Sequence, residues 1–319
     1  VDRRQRQMCI RDRGLSALAG SLVAFSVNAG EMSVTGSAGM SLTSTNEEAA
    51  SAFAQSDSLT FAGSGETDGG LTVSVSFEID GDNAGFDDRS FSVASDTIGT
   101  LTFSGSGGSS VMGSWDDVVP NAYEESWAVT AEASDGVVNG IGGTNLIRWD
   151  SPAISGASVH VAYQDAAQAT TASTYTDFGI KVSPEMVEGL ELGYAEGSYD
   201  TSATLSTDES TMYVKYTMGA ISVGYQTSEI DAGTSDTTDE TVGMGVSYAV
   251  SDDLSISYGT HTVDYGDLTT DQESSGFSAS YTMGGMTLAG AVNSTDNVAG
   301  ATASTSDLDS YELTLSFAF

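Results

Sequence analysis

Residues 71–79 read LTVSVSFEI. Leu71, Val73, Val75, Phe77 and Ile79 fall on one face of an extended chain, and Thr72, Ser74, Ser76 and Glu78 on the other. Strict period-two alternation specifies a strand with one apolar and one polar face. The same pattern recurs to the last residue. Tyr311, Leu313, Leu315, Phe317 and Phe319 alternate with Glu312, Thr314, Ser316 and Ala318, and Met212, Val214, Tyr216 and Met218 form a similar row. Further rows are Val242/Met244/Val246/Tyr248, Leu254/Ile256/Tyr258 and Phe277/Ala279/Tyr281/Met283.

Working outward, sixteen strands are expected at 31–42, 58–65, 70–79, 88–95, 98–104, 143–150, 156–163, 174–183, 189–198, 209–218, 220–229, 240–249, 253–263, 274–283, 285–293 and 308–319. About ten residues is the length a tilted strand needs to cross a bilayer core. Pro120, Pro152 and Pro184 all fall between strands, where a missing N–H costs nothing. Connections alternate between short turns, such as 66–69 and 184–188, and longer polar loops at 43–57, 80–87, 164–173, 199–208, 230–239, 264–273 and 294–307. Short turns on one edge and long loops on the other describe an all-β, antiparallel up-and-down barrel. Sixteen strands make a ring too wide for side chains to fill, so the Ser/Thr-rich face must meet water inside. The apolar face must then meet lipid outside. Trp149, Tyr163, Tyr258, Tyr281 and Tyr311 are expected at the strand ends, in interfacial girdles.

The chain has 319 residues, 45 Asp plus Glu, nine Lys plus Arg and a formal charge of −36. Phosphate binding needs clustered bases, so nucleic acid is excluded as a partner. Arg3, Arg4, Arg6, Arg11 and Arg13 precede the apolar run 15–27, which leads to Asn28-Ala29-Gly30. A basic start, a short apolar core and small residues at the exit describe a secretory signal peptide over 14–29. Residues 1–13, VDRRQRQMCIRDR, resemble translated sequencing-adapter read-through and are set apart as an artefactual extension. Cleavage after Ala29 removes five Arg, two Asp and the single Cys9, leaving four bases against 43 acids over 30–319. That is a charge of −39, with no thiol for a disulfide, a metal or a nucleophile.

The leader, the sixteen strands and the terminal LTLSFAF (313–319) resemble Gram-negative general porins, and the alphaproteobacterial type in particular. The blocks DRSFSVASDTIGTLTFSG (88–105) and GGTNLIRWDSP (142–152), which flank a loop of almost 40 residues, are similar to the corresponding porin segments. The resemblance implies a homotrimer in the outer-membrane bilayer that passes small hydrophilic solutes by diffusion. It also implies that the third loop, 105–142, folds into the barrel and narrows it. Asp116, Asp117, Glu124, Glu125, Glu132 and Asp135 would then line a constriction and favour cations. Tyr311, Phe317 and Phe319 resemble the terminal signal read by the outer-membrane assembly machinery.

Alternation places Lys181, Lys215 and Arg148 on the lumen face, on the sixth, eighth and tenth strands. There they are expected to tether the loop to its own wall. Glu78 and Glu312 also face the lumen, which makes the pore anionic and cation-preferring. No cofactor is called for. The EF-hand-like start at Asp80 lacks an acid or amide at its fifth position and has Phe91 where the bidentate Glu belongs, so only weak divalent binding by acidic loops is compatible with the sequence. His160 and His261 read as lumen-facing polar residues, and no nucleophile motif marks an enzyme. Two other readings share this pattern. A substrate-selective outer-membrane channel would show saturable block by one solute. A secreted β-rich adhesin or solenoid would carry a fixed repeat of ~20–50 residues, and the chain has none.

Overall fold

A computed structural model of the chain describes residues 31–46, 51–81, 86–127, 138–165, 174–202, 205–233, 238–266, 268–302 and 307–319. The leader at 14–29 and the extension at 1–13 lie outside the described residues. Five strands come first: β1 (Glu31–Thr45), β2 (Ala52–Glu66), β3 (Thr72–Asp80), β4 (Arg89–Ser95) and β5 (Gly99–Ser106). The long loop follows, with a two-residue ribbon of β6 (Gly108–Ser109) and β7 (Gly142–Gly143) and a single helical turn, α1 (Val111–Ser114). The barrel resumes with β8 (Leu146–Asp150), β9 (Ala157–Gln164), β10 (Tyr175–Val182), β11 (Leu190–Ser202), β12 (Leu205–Met218) and β13 (Ile221–Asp231). It ends with β14 (Thr238–Ala249), β15 (Leu254–Tyr265), β16 (Gln272–Met283), β17 (Met286–Asp296) and β18 (Leu308–Ala318).

All strands except β6 and β7 form one closed antiparallel barrel of sixteen, each paired with its sequence neighbours. Closure joins β1 to β18 from Ser37↔Ala318 to Thr45↔Ser310. Gly36 and Phe319 extend it by exchanging both backbone bonds, at 2.8 and 2.9 Å. A side chain at Gly36 would meet the Phe319 ring at 2.7 Å, so the glycine lets the terminal aromatic lie flat on the outer face. A closed ladder leaves no edge, which is what the hydrocarbon region demands.

The alternation predicted from sequence is the one the barrel uses. Val34, Met40, Leu101, Phe103, Ile180, Leu192, Val246 and Leu313 are all exposed on the outer face. Of the five aromatics expected at strand ends, Tyr258 is instead mid-strand, opposite Val246 and Phe277.

Boundaries at the long-loop end differ from expectation. β2 begins at Ala52, so the loop expected over 43–57 shrinks to 46–51. The loop expected over 199–208 is nearly all strand, since β11 runs to Ser202 and β12 starts at Leu205. Beyond the hydrocarbon both faces are polar, so alternation vanishes while the backbone ladder continues. The sixth barrel strand starts at Leu146 rather than 143, because Gly142–Gly143 belongs to the ribbon.

The buried cluster lies inside the barrel, between loop and wall. Val111, Met112, Trp115, Val118 and Val138 from the loop pack on Leu146, Ala162, Ala195 and Tyr213 from the strands. Burial therefore differs around the ring. Inward residues of β10 and β12 are buried in alternation, whereas those of β3 are only half-buried. The open lumen runs between the loop and the wall formed by β1–β5.

Candidate functional site

The loop runs out along the inner wall and returns. Arg148, on β8, grips its start by donating to Ser109 O (3.3 Å), Ser110 O (3.1 Å) and Ser114 Oγ (2.9 Å), while its Nε donates to Asp150 (3.0 Å). Asp177, on β10, accepts from Met112 N at 2.8 Å. Glu209, on β12, accepts from Gly140 N at 3.1 Å. One carboxylate thus holds the outgoing limb and the other the returning limb, with the Tyr175 hydroxyl donating towards both. Gln226, on β13, accepts from Val118 N at 2.7 Å and donates to Trp115 O at 2.7 Å and Asp116 O at 3.1 Å.

Further round, Ser257 Oγ (β15) accepts from Ala122 N and Ser278 Oγ (β16) from Tyr123 N. Asn293, on β17, donates to Glu125 O at 3.0 Å. The Tyr123 hydroxyl reaches β18, where it meets Thr314 Oγ1 at 2.7 Å. Burial, together with the carboxylates of Glu312 and Glu124, pushes the Tyr123 hydroxyl well above its usual range, so it stays a neutral donor. Trp127 then turns back onto His261, with ring centroids 4.0 Å apart.

Glycines let the loop lie this close. A side chain at Gly179 would meet Trp115 at 2.6 Å, and one at Gly276 would meet Ser126 Cα at 2.7 Å. Gly224, Gly243 and Gly245 face Val119 and Pro120 in the same manner.

The six predicted loop acids separate on this frame. Asp116 accepts from Asp117 N at 2.8 Å, and the buried Asp117 accepts from Val119 N at 3.1 Å. Both carboxylates are engaged with the loop's own backbone. Glu124 and Glu125 are half-buried at the turn farthest along the wall. Glu132 and Asp135 lie outside the described residues.

Arg148, Lys181 and Lys215 are all inward in the register, beside outward Trp149, Ile180 and Val214. Among the described residues, Arg148 is the one of the three that hydrogen-bonds the loop. Lys215 pairs with Glu191 on β11 at 3.2 Å, and among the described residues it makes no loop contact. Glu78, opposite Thr60 on β2, and Glu312, opposite Thr43 on β1, are inward, as the alternation required. Arg89 is opposite Phe77 and shares its outward face.

His160 is inward and buried. It bonds Asp150 at 2.6 Å and Ser158 Oγ at 2.9 Å, with Trp115 packed edge-on against the ring. The row Asp150–His160–Ser158 lies beneath the loop, with Asp150 partly exposed, and Trp115 rests on its His160 ring. Among the described residues no group of three or more His, Cys, Asp or Glu is arranged to hold a metal.

The wall residues that hold the loop, Asp177, Glu209, Gln226, Asn293 and Thr314, were not singled out by sequence. A partial signal existed. Inward positions of β1–β5 are mostly Ser, Thr, Ala or Gly, with Glu66, Glu78 and Asp80 as acidic exceptions, whereas Gln and Asn appear inward on the strands where the loop packs.

The acids also distribute differently from expectation, which put them in loops, constriction and lumen. Glu196, Asp208, Glu229, Glu240, Asp264 and Glu273 lie on the outer face of β11–β16, near the long-loop ends.

The family model of Gram-negative porins matches residues 14–300. No curated protein matches the chain. Among solved structures, the chain is similar to the anion-selective porin from Comamonas acidovorans, with 16% identity and a TM-score of 0.69 over 91% of this chain and 100% of that one. It is similar to OmpT, an outer membrane protein of Vibrio cholerae, in its trimer form, with 10% identity and a TM-score of 0.70 over 92% and 100%. A variant of the Rh. blastica porin aligns at 16% identity, with a TM-score of 0.62 over 90% and 100%. These likenesses are of fold. Together with the family match over most of its length, the closed barrel and the inward loop establish that the chain belongs to the Gram-negative porin family, whose members form channels through the outer membrane.

Proposed function

We propose that this porin is a cation-preferring diffusion channel for small hydrophilic solutes. The observation that carries the reading is the charge on the open side. Among the described residues, the inward faces of β1–β5 and β16–β18 carry Glu66, Glu78, Asp80, Glu312 and many hydroxyls, but no base. The loop opposite contributes Glu124 and Glu125. Arg148 and Lys215 are each paired to a carboxylate on their own wall. A monovalent ion about 5 Å from a carboxylate gains about 1 kcal/mol even at the dielectric constant of water, and an anion loses as much. One acid on the path therefore separates the two signs by roughly 2 kcal/mol before salt screening. The anion selectivity of the Comamonas porin belongs to that protein.

The test is a planar-bilayer recording in a KCl gradient. The reversal potential is expected to move toward the potassium equilibrium potential, and displacement toward chloride refutes cation preference.

The proposed assembly is a homotrimer. Outward residues of β1–β5 include one acid, Asp57, and one base, Arg89, among Val, Met, Leu and Phe. Copies with a charge near −39 repel least through that arc, and the Vibrio OmpT structure is a trimer form. Phe319, packed over Gly36 at the closing seam, with Phe317 and Tyr311 on the same face, is proposed as the assembly signal. Weak divalent binding is proposed for the acidic outer rim, without a defined site. No cofactor is required for diffusion.

A further inference from the structure

The turn at Tyr123–Glu125 is the farthest point of the loop along the wall. Before it, Val118 is held at β13 and Ala122 at β15; after it, Ser126 and Trp127 return to β16 and β15. At the turn, Asn293 of β17 holds Glu125 O and Thr314 of β18 holds the Tyr123 hydroxyl. Strand β18 pairs with β1, so this contact borders the open wall.

Hydrogen counting fixes the direction of the contact. Thr314 Oγ1 gives its one proton to Glu312 Oε1 at 3.0 Å. With that proton given to Glu312, Tyr123 is the donor at 2.7 Å, so Tyr123 donates to Thr314, which donates to Glu312, and the Tyr123 hydroxyl also lies within bonding reach of the Glu312 carboxylate. Such a relay strengthens both bonds. Glu124 and Glu312 are like charges that repel, and two neutral hydroxyls hold the loop turn beside the wall carboxylate.

We propose that Tyr123 is a positioning residue for selectivity: through Thr314 it fixes the Glu124–Glu125 turn next to Glu312, so that ions pass between loop and wall carboxylates. The inference rests on the cation-preferring reading above. Without the relay, repulsion from Glu312 moves the turn away from the ion path while every charge is kept.

The experiment compares K⁺/Cl⁻ permeability ratios of the full-length porin with Y123F, T314V, T314S and E312Q in planar bilayers, using heat-modifiable gel mobility as the folding control. Moving one carboxylate from about 5 to about 10 Å off the path changes the ratio roughly two- to fourfold. Y123F and T314V are expected to lower the ratio by that factor, T314S to retain it, and Y123F added to E312Q to lower it little further. If folded Y123F and T314V keep the wild-type ratio, the relay is refuted even if E312Q lowers it. A T314S variant that behaves like T314V also refutes it. An anion-preferring wild type overturns the functional reading instead, and the relay is then judged by whether Y123F and T314V move the ratio.

Discussion

Replacing Gln226 with Leu keeps the side chain's bulk and removes four hydrogen bonds: from Val118 N, and to Trp115 O, Asp116 O and Thr211 Oγ1. Gln226 is 4% exposed, so water does not replace the lost partners. A buried donor or acceptor left without a partner costs ~1–3 kcal/mol. Val118 N and Trp115 O, the two shortest contacts, are both orphaned. Allowing about 1 kcal/mol back for the apolar surface of Leu, the segment 115–118 becomes easier to detach by about 2–4 kcal/mol. This cost falls on local opening, because the barrel ladder is untouched. Hydrogen exchange followed by mass spectrometry in detergent reads it directly. Exchange at Val118 is expected to accelerate ~30- to ~1000-fold, since each 1.4 kcal/mol is a factor of ten. The β13 ladder amides should keep their wild-type rates. Q226E, the isostere, should open the loop at least as much, because its second oxygen faces Trp115 O. If Q226L accelerates exchange at Val118 less than threefold, the loop is held by packing alone and the reasoning fails.

Two further perturbations test the wall and the rim. G245A puts a methyl group against Val119 and 2.8 Å from Pro120 O. The wall is fixed by its ladder, so the loop must step into the lumen at a cost of ~1–3 kcal/mol, and single-channel conductance should fall; an unchanged conductance would show that the loop does not bound the aperture there. On the outer face, Glu240 is directly opposite Glu229 and Asp264 in the ladder. Like charges so placed cost ~0.2–1 kcal/mol per pair. E240Q should therefore raise the temperature of the heat-modifiability transition at low salt, with the gain shrinking in MgCl2 or 1 M NaCl; no gain at low salt would count against these repulsions.

The barrel was legible in the sequence because its cause is local. Lipid on one side and water on the other impose alternation residue by residue, and Val73, Val75 and Phe77 need no distant partner to be read. The pattern failed at 199–208, where neither face meets lipid and backbone pairing alone extends β11 and β12. The site was legible in outline: an acidic loop of unusual length, and Arg148 at an inward register position beside its end. What remained hidden is non-local. Gln226 is 108 residues from Val118, and Asn293 is 168 from Glu125. Nothing local distinguishes the spent carboxylate of Asp117 from the half-buried Glu125. The glycines lying under the loop were indistinguishable from any small inward residue until the path of the loop was known.

Net charge therefore carries less information about selectivity than its size suggests. The carboxylates of Glu229, Glu240, Asp264 and Glu273 point away from the lumen. At physiological salt the screening length is about 8 Å, so charges beyond the wall hardly act on an ion inside. Among inward groups, Asp150 offsets Arg148 and Glu191 offsets Lys215. Asp177 and Glu209 are occupied with the two limbs of the loop. Among the described residues, the carboxylates on the open side include Glu66, Glu78, Asp80 and Glu312 on the wall and Glu124 and Glu125 on the loop, set against Lys181. Selectivity is then a property of a few positioned carboxylates. A porin of the same fold with equal net charge prefers anions if two or three bases stand on the β1–β5 wall, where the described residues of this chain present hydroxyls and the carboxylates of Glu66, Glu78 and Asp80.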